Sequence, residues 1–406
     1  MKVLFITRKF PPPDNLGAVA TILWEVANGL VDRGIEVAVI AGSYTPTMEE
    51  HPREGLEIYR FPFANGFVNT IRIARIISRL YREIDIVHIH DVLPIGQLLL
   101  LYLSLLPVKK FWTLHNLAPI CKNSVLWSPC SMHRDEVIEG KRGLCHIDRD
   151  TSCRNCFSRG PVGILQYLRF TISSRLTHGM ARFLHILTPS RSTKRVLTKT
   201  WGERVVVLPN AVDIQDPGPS NHGDYPTKVF FGGRIVPEKG LDLLIDSMKY
   251  NPGIILTASG TGREKYIENL EERARGLGIE YNRADWKPRD LYLSDLKNFD
   301  ICVVPSRGFE VFGMVALDAE MAGLPLVLAD QGGLREVGED GKNTVFFERG
   351  SRDSLARSIS VLAENPFLRH RYSKMSKKIV QARYGIRRHI DSLVNLYRRA
   401  LEEDSK

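Results

Sequence analysis

The stretch that decides the fold is KVFFGGRIVPEKG, residues 228–240. Its apolar part, Val229–Gly232, predicts a strand buried on both faces, and a segment with helical spacing follows directly. Gly233 allows a sharp turn where the strand ends. Arg234 and Lys239 therefore lie at the carboxyl end of the strand, the edge at which open α/β sheets bind ligands. Two cations at this edge favour a diphosphate ligand. The alternative is a solvated basic turn.

The alternation of buried strand and amphipathic helix continues in both directions from this stretch. Before it, strands are predicted at Lys2–Thr7, Glu36–Ile40, Ile84–Ile89, Phe111–His115 and His185–Thr188. After it, further strands are predicted at Ile254–Ala258, Ile301–Val304 and Leu324–Ala329. Such repetition predicts parallel sheets with right-handed crossovers. Two series of this length predict two doubly wound α/β domains.

The domain boundaries follow from the composition between the two series. Prolines and glycines cluster between Ser190 and Thr227, so the hinge is predicted there or just before. We therefore expect an N-terminal domain at 1–190, a second domain at 191–380, and a C-terminal helix within 381–406 that packs back on the first domain. Residues 116–160 interrupt the alternation as an insertion with five of the six cysteines.

A second motif, PSRGFEVFGMVALDAE, spans residues 305–320 and follows another predicted strand. A helix is expected to begin near Gly313, and the free backbone N–H groups at its start can bind an anion. Asp318 and Glu320 are two residues apart, or about 200° around a helix. Only one of them can face the same cleft as Glu310, and the spacing favours Asp318. The alternative for these carboxylates is a solvated helix face.

Length and composition limit the classes of protein to consider. The chain has 406 residues, a net charge of +10 and 43% hydrophobic residues, which excludes a disordered chain. Six cysteines are too few for a small disulfide-stapled scaffold. Four apolar residues follow Lys2, fewer than the roughly 7–15 of a secretion signal, so we expect a cytoplasmic protein. The positive charge indicates an anionic partner, and the sequence shows no nucleic-acid recognition motif.

Together these motifs resemble the retaining glycosyltransferases of family 4, which have the GT-B fold of two Rossmann-like domains facing across a cleft. Residues 208–213, LPNAVD, are similar to the family's Pro-Asn-Gly-Val-Asp. Residues 332–337, GGLREV, are similar to its Gly-Gly-x-x-Glu-Val. The resemblance covers nearly the whole chain. It implies transfer of a sugar from a nucleoside-diphosphate sugar, bound mainly by the second domain, to an acceptor on the first.

Position by position, the resemblance also implies residue roles. Arg234 and Lys239 would hold the diphosphate, and Glu310 would contact the donor sugar. Asp318 would bind the ribose hydroxyls, and His115, at the end of a first-domain strand, would reach the sugar. The residues expected to act in catalysis are His115, Arg234, Lys239 and Glu310. The remaining donor-binding positions are Gly17, Gly233, Val311, Phe312, Gly313 and Met314.

The sequence departs from the family pattern at four places without losing a charge. Asp318 replaces the usual Glu, Val311 and Ala211 replace glycines, and Gly17 is followed by Ala18 where two glycines are common.

The resemblance also implies a reaction mechanism. The acceptor attacks on the same face that the phosphate leaves, with retention at the anomeric carbon, and the leaving phosphate accepts the acceptor's proton. The resemblance implies no cofactor or metal for catalysis. A sugar-nucleotide epimerase of the same fold and a non-catalytic binding subunit are the alternatives. The base (UDP- or GDP-linked), the sugar and the acceptor (glycan, lipid or small molecule) are left open.

The cysteines of the insertion suggest a structural metal. Cys153 and Cys156 have the C-x-x-C spacing of zinc ligands, and a chain without a secretion signal favours metal over disulfides. The predicted structural zinc site consists of Cys121, Cys145, Cys153 and Cys156, with Cys130 or His146 as a substitute ligand. Disulfides or free thiols are the alternatives.

Two segments carry arginines at helical spacing. Residues 71–82 have arginines three or four apart, and further arginines follow from Arg159 to Arg182. Each predicts either a solvated helix face or docking on an anionic membrane surface. In the second case the protein would be peripheral on the inner face of the membrane.

Overall fold

The computed structural model describes residues 1–11, 17–43, 48–62, 66–90, 96–121, 157, 160–214, 226–285, 287 and 289–403. These residues form two compact units. The first contains the described residues before 124, those between 153 and 213, and those from Ile386 onward. The second contains the described residues of 214–385. Each unit has its own sheet with helices packed on it, as the two strand–helix series predicted.

The first unit is built on an eight-stranded sheet in the order β3-β4-β2-β1-β5-β6-β7-β8. Its elements are β1 (Lys2–Thr7), α1 (Ala18–Val31), β2 (Glu36–Ser43), β3 (Met48–Arg53), β4 (Leu56–Pro62), α2 (Gly66–Leu80), β5 (Ile86–Ile89), α3 (Gly96–Leu105), β6 (Lys109–Thr113), α4 (Pro161–Ala181), β7 (His185–Thr188), α5 (Arg191–Trp201) and β8 (Val205–Val207). β1 is buried along its whole length because helices cover both faces of a parallel sheet. The edge strand β3 runs antiparallel to β4, and the other pairings are parallel.

The boundary of the first unit differs from the predicted 190. α5 and β8 lie beyond that point, and β8 pairs in parallel with β7 from Ile186↔Val205 onward. These two elements complete the first sheet, so the first unit extends to Asp213. The observed boundary still lies within the predicted hinge range of 190–227, whose prolines begin at Pro209, after the last strand of this sheet.

The second unit contains a six-stranded parallel sheet in the order β11-β10-β9-β12-β13-β14. Its elements are β9 (Thr227–Gly232), α6 (Leu241–Met248), β10 (Ile254–Ser259), α7 (Glu264–Gly276), β11 (Glu280–Ala284), α8 (Arg289–Leu296), β12 (Ile301–Val304), α9 (Met314–Met321), β13 (Leu326–Ala329), α10 (Leu334–Val337), β14 (Thr344–Phe347), α11 (Arg352–Ala363) and α12 (Pro366–Arg383). Cys302 is buried in β12, as a core residue.

The C-terminal helix α13 (Ile386–Glu402) belongs to the first unit and packs on α1, as predicted. It lies within the expected segment 381–406 and begins at Ile386, because α12 continues to Arg383. Its contacts with α1 are close: a Cβ on Gly29 would overlap the side chain of Ile390. Arg33 also forms an ion pair with Asp391 at 2.7 Å. Across the described residues, no helix combines the length and the apolar character needed to cross a membrane.

Candidate functional site

The loops that follow β9 and β12 approach each other closely at the carboxyl edge of the second sheet. A Cβ on Gly240, which has φ +74°, would overlap the carbonyl oxygen of Pro305. The backbone N–H groups of Arg307 and Gly308 both donate to the carbonyl oxygen of Glu238 at 2.9 Å. Because only glycine tolerates this approach, the sequence brings the predicted cations and carboxylate to one place.

Lys239 and Glu310 form an ion pair at the centre of this edge. The Glu310 carboxylate also accepts a hydrogen bond from the Ser306 hydroxyl. Burial acts to raise the pKa of Glu310, but Lys239 and Ser306 outweigh it, so the pKa of Glu310 lies below its usual value. Glu310 is therefore a fixed anion at neutral pH, and the Lys239 ammonium is directed at it.

Arg234 lies on the same edge with its side chain 60% exposed. Its guanidinium is 3.7 Å from the Glu238 carboxylate, a loose and largely solvated pair. Gly233, just before it, adopts φ +122°, in agreement with the predicted sharp turn. Sequence reasoning found both cations but not the glutamate that faces each of them. Spacing could not predict the Lys239–Glu310 pair, because its residues are 71 positions apart.

Residues 310–314 form a tight segment that leads into α9. Gly313 precedes the helix with φ +114°, and the first N–H groups of α9 have no acceptor within the helix. Gly333 supports the segment from behind: its N–H donates to the carbonyl oxygen of Glu310 at 2.8 Å. A Cβ on Gly333 would lie 2.5 Å from the Cα of Phe312 and 2.6 Å from the carbonyl oxygen of Val311. The GGLREV motif thus fixes the backbone of the EVFGM segment.

Asp318 is on α9 and is 5% exposed. Arg289 of α8 forms an ion pair with it at 2.8 Å, a partner that the sequence did not predict. Burial raises the pKa of Asp318, and Arg289 opposes this effect. Glu320 points elsewhere, since its carboxylate accepts from Asn343, and burial raises its pKa well above the usual value. The predicted divergence of Asp318 and Glu320 around the helix is therefore present.

In the first unit, His115 lies two residues beyond the end of β6 and not within the strand as predicted. Its Nε2 is 3.3 Å from Nδ1 of His90, and the two rings are stacked. Burial, with a smaller effect of His389, lowers the pKa of His115 to about 4. Among the described residues, neither Nδ1 of His115 nor Nε2 of His90 has a hydrogen-bond partner.

The neighbouring His88 differs from these two histidines. Its Nδ1 is 2.5 Å from the Tyr397 hydroxyl of α13, and its Nε2 is 2.7 Å from the Thr113 hydroxyl. Both ring nitrogens are satisfied by buried partners, so His88 joins α13 to the sheet. Sequence reasoning singled out neither His88 nor His90, although both stand on or directly after a buried strand.

Gly17 directly precedes α1 with φ +118°, and its carbonyl oxygen accepts from the Thr21 N–H. In the first unit, the buried guanidinium of Arg60 donates to the carbonyl oxygens of Phe10 and Pro11. An anion-binding role of Gly17 stays a prediction.

The cysteine prediction falls mostly outside the described residues. Cys145, Cys153 and Cys156 are not described, and neither are Cys130 and His146. Cys121 is buried shortly after His115. Within the described ranges, no group of three or more His, Cys, Asp or Glu side chains is arranged to hold a metal ion. The structural zinc stays a prediction.

Comparison with known families identifies the chain. Residues 19–216 match the family model described as Glycosyltransferase Family 4. Residues 214–379 match the model described as Glycosyl transferases group 1. The chain belongs to glycosyltransferase family 4. The predicted family is confirmed, and with it the pair of parallel-sheet α/β units of the GT-B fold.

Individual relatives agree with this assignment. An uncharacterized glycosyltransferase of Methanocaldococcus jannaschii is 24% identical, and the match covers 99% of both chains. A phosphatidyl-myo-inositol mannosyltransferase of Mycobacterium leprae is 29% identical over 53% of this chain and 61% of its own length. Sucrose-phosphate synthase from Thermosynechococcus elongatus has the same fold, with a TM-score of 0.76, 16% identity and 99% of both chains covered.

Proposed function

We propose that this family 4 enzyme transfers a sugar, with retention at the anomeric carbon, from a nucleoside-diphosphate sugar to an acceptor. The observation that carries the proposal is the Lys239–Glu310 pair beside the start of α9, at the ligand-binding edge of the second sheet. A solved structure of the same fold, Anabaena HepE, was determined with UDP and glucose (TM-score 0.67, 17% identity, 98% of this chain and 99% of that chain covered), which supports a uridine nucleotide among the candidates.

The diphosphate would be recognised by exchange of existing contacts. Lys239 is already paired with Glu310, so a phosphate oxygen competes for the ammonium while Glu310 turns to a sugar hydroxyl. Arg234 needs little rearrangement, because its pair with Glu238 is long and solvated. The backbone from Val311 to Met314 supplies N–H donors at the helix start.

In the proposed reaction the acceptor oxygen bonds to the anomeric carbon on the face that the diphosphate leaves. The bond between that carbon and the diphosphate oxygen breaks, and the acceptor's proton passes to the leaving phosphate oxygen. Arg234, Lys239 and the helix N–H groups stabilise the charge that develops on the diphosphate. We propose that no metal ion takes part. Activity that disappears in chelator and returns with magnesium would contradict this.

Two further residues have proposed roles, and the acceptor stays open. His115 is proposed to contact the transferred sugar. Asp318 is proposed to bind the ribose, which requires its carboxylate to leave Arg289 or to share that partner with the nucleotide. The acceptor is a glycan, a lipid or a small molecule. An epimerase would need no acceptor, and a non-catalytic subunit would bind nucleotide without turnover.

Thermal-shift measurements with UDP, GDP, ADP and NAD test the donor site. We expect one nucleoside diphosphate to raise the melting temperature of the wild type. Arg234→Ala and Lys239→Ala should each reduce that shift, since each hydrogen bond to a charged phosphate is worth about 1.5–3 kcal/mol. Lys265→Ala is the matched control, because it removes a cation from the exposed surface of α7 in the same unit. A thermal shift with NAD alone would contradict the proposal. So would a nucleoside-diphosphate shift that has the same size in the wild type and in all variants.

A further inference from the structure

Helix α4 exposes aliphatic side chains over most of its length. Of its 21 residues, the buried ones are Gly163, Thr177 and Ala181. On the opposite side, four large aliphatic residues follow one another at helical spacing: Leu165 (68% exposed), Leu168 (49%), Ile172 (59%) and Leu176 (53%). A surface helix normally turns such a stripe towards the core. Here the small residues pack inward and the aliphatic ones face outward.

The neighbouring helix α3 repeats this arrangement. Its exposed residues Leu98, Leu101 and Leu105 also follow at helical spacing, and Leu105 is 77% exposed. α3 contacts both α4 and α2. Because the two helices are in contact, we treat their exposed stripes together and call them the leucine face: Leu98, Leu101 and Leu105 of α3, and Leu165, Leu168, Ile172 and Leu176 of α4.

Arginines border the leucine face. At 100° per residue, Arg169 and Arg175 lie about 60° to either side of the middle of the α4 stripe. Both are exposed. α2, which contacts α3, carries two further exposed arginines, Arg75 and Arg79. No Asp or Glu occurs anywhere in α2, α3 or α4.

The exposed leucine face and its bordering arginines together indicate the kind of partner that binds here. An exposed apolar surface of this kind is typical of an interaction site. A second copy of the chain, docked face to face, would place arginine borders against one another with no carboxylate from these helices to pair with them. An anionic phospholipid bilayer satisfies both features, because leucines enter the acyl boundary while arginines reach the phosphates.

We propose that the first unit docks on anionic phospholipid membranes through the leucine face and its arginine border. Leu165, Leu168, Ile172 and Leu176 insert between lipid chains, and Arg169 and Arg175 bind headgroup phosphates. The proposal is independent of the donor chemistry proposed above, since all of these residues belong to the first unit.

Flotation with lipid vesicles tests this docking. Vesicles of phosphatidylcholine alone are compared with vesicles that also contain phosphatidylglycerol, at low and high salt. The wild type should float with the anionic vesicles. The combined variant L165Q, L168Q and I172Q should bind at least about tenfold more weakly per side chain removed. The double variant R169Q and R175Q should bind anionic vesicles about fivefold more weakly for each arginine removed, and this difference from the wild type should disappear at high salt.

Matched controls separate docking from general changes in surface chemistry. Phe367→Gln removes a 78% exposed aromatic side chain in the second unit, and Arg357→Gln removes an exposed arginine there. Both should float like the wild type. The nucleotide-induced thermal shift should be the same in all variants, so failure of docking and failure of the donor site are distinguishable. Wild-type protein that stays unbound at low salt would overturn the proposal. So would a dimer that the glutamine variant converts to monomers without any lipid binding.

Discussion

At the scale of single residues, three histidines on or just after β5 and β6 divide into a structural one, His88, and a pair, His90 and His115, each with one nitrogen that has no partner among the described residues. His88 has partners on both nitrogens, whereas His90 and His115 bond to each other. The pKa values of His90 and His115 are lowered mainly by burial, so both rings are neutral at pH 7. A neutral imidazole carries one N–H, so one ring donates to the other in this bond, and the bond holds the two rings in their orientation. We infer that His90 positions His115.

We expect His90→Phe to weaken recognition of the sugar and not of the nucleotide. The variant keeps a ring next to Phe5 and His88 but loses the bond to His115. A lost hydrogen bond of about 1 kcal/mol corresponds to roughly a fivefold lower kcat/KM. The thermal shift caused by the sugar nucleotide should shrink, and the shift caused by the bare nucleoside diphosphate should not. His88→Phe is the control, since it should lower the melting temperature without this selectivity. Equal weakening of both ligands in the His90 variant would argue against a positioning role.

At the scale of elements, the candidate site depends on one loop supporting another. The N–H of Gly333 and the absence of its side chain hold the backbone of residues 310–312 in place before α9. Gly333→Ala should therefore displace this segment, lower stability by about 1–3 kcal/mol and abolish the nucleotide-induced thermal shift. Gly276→Ala makes the same change where a Cβ meets nothing within 4 Å, and it should leave the shift intact. A Gly333 variant that binds nucleotide normally would show that the support is not needed.

The elements also show what the sequence can predict. Buried parallel strands such as β1 and β12 were predicted almost to the residue, because a short apolar run between polar turns is typical of a strand covered on both faces. β3, with the sequence MEEHPR, was missed since a polar edge strand has no apolar run. β8 was missed because three valines stand just before a proline-rich stretch. Spacing found Lys239 and Glu310, but the pairing of Arg289 with Asp318 depends on how α8 packs against α9, which the sequence does not show.

At the scale of the whole molecule, the two units contain different buried ionisable groups. These groups make the stability of the two units respond in opposite directions when the pH falls. The first unit has four histidines whose pKa values are lowered, chiefly by burial: His88, His90, His115 and His389. The second has Glu320 and Asp318, whose pKa values are raised by burial. A domain boundary at Asp213 instead of 190 leaves this division unchanged, because no histidine lies between those positions.

These groups predict that mild acid destabilises the first unit before the second. In the unfolded chain the histidines titrate near pH 6.5, and in the folded unit they titrate lower, at about 4 for His115. Between these values the unfolded state binds more protons, so stability falls as the pH falls. For Glu320 the effect of pH on stability is reversed. Because the folded state takes up the proton first, acid stabilises the second unit until the ordinary carboxylates titrate.

Calorimetry over this pH range tests the prediction. We expect two thermal unfolding transitions whose midpoints move apart as the pH falls, and hydrogen exchange should assign the transition at lower temperature to α1 and α13. His90→Phe should reduce the pH dependence of that lower transition. A second-unit transition that moves down first would contradict the assignment of these histidines as buried and neutral.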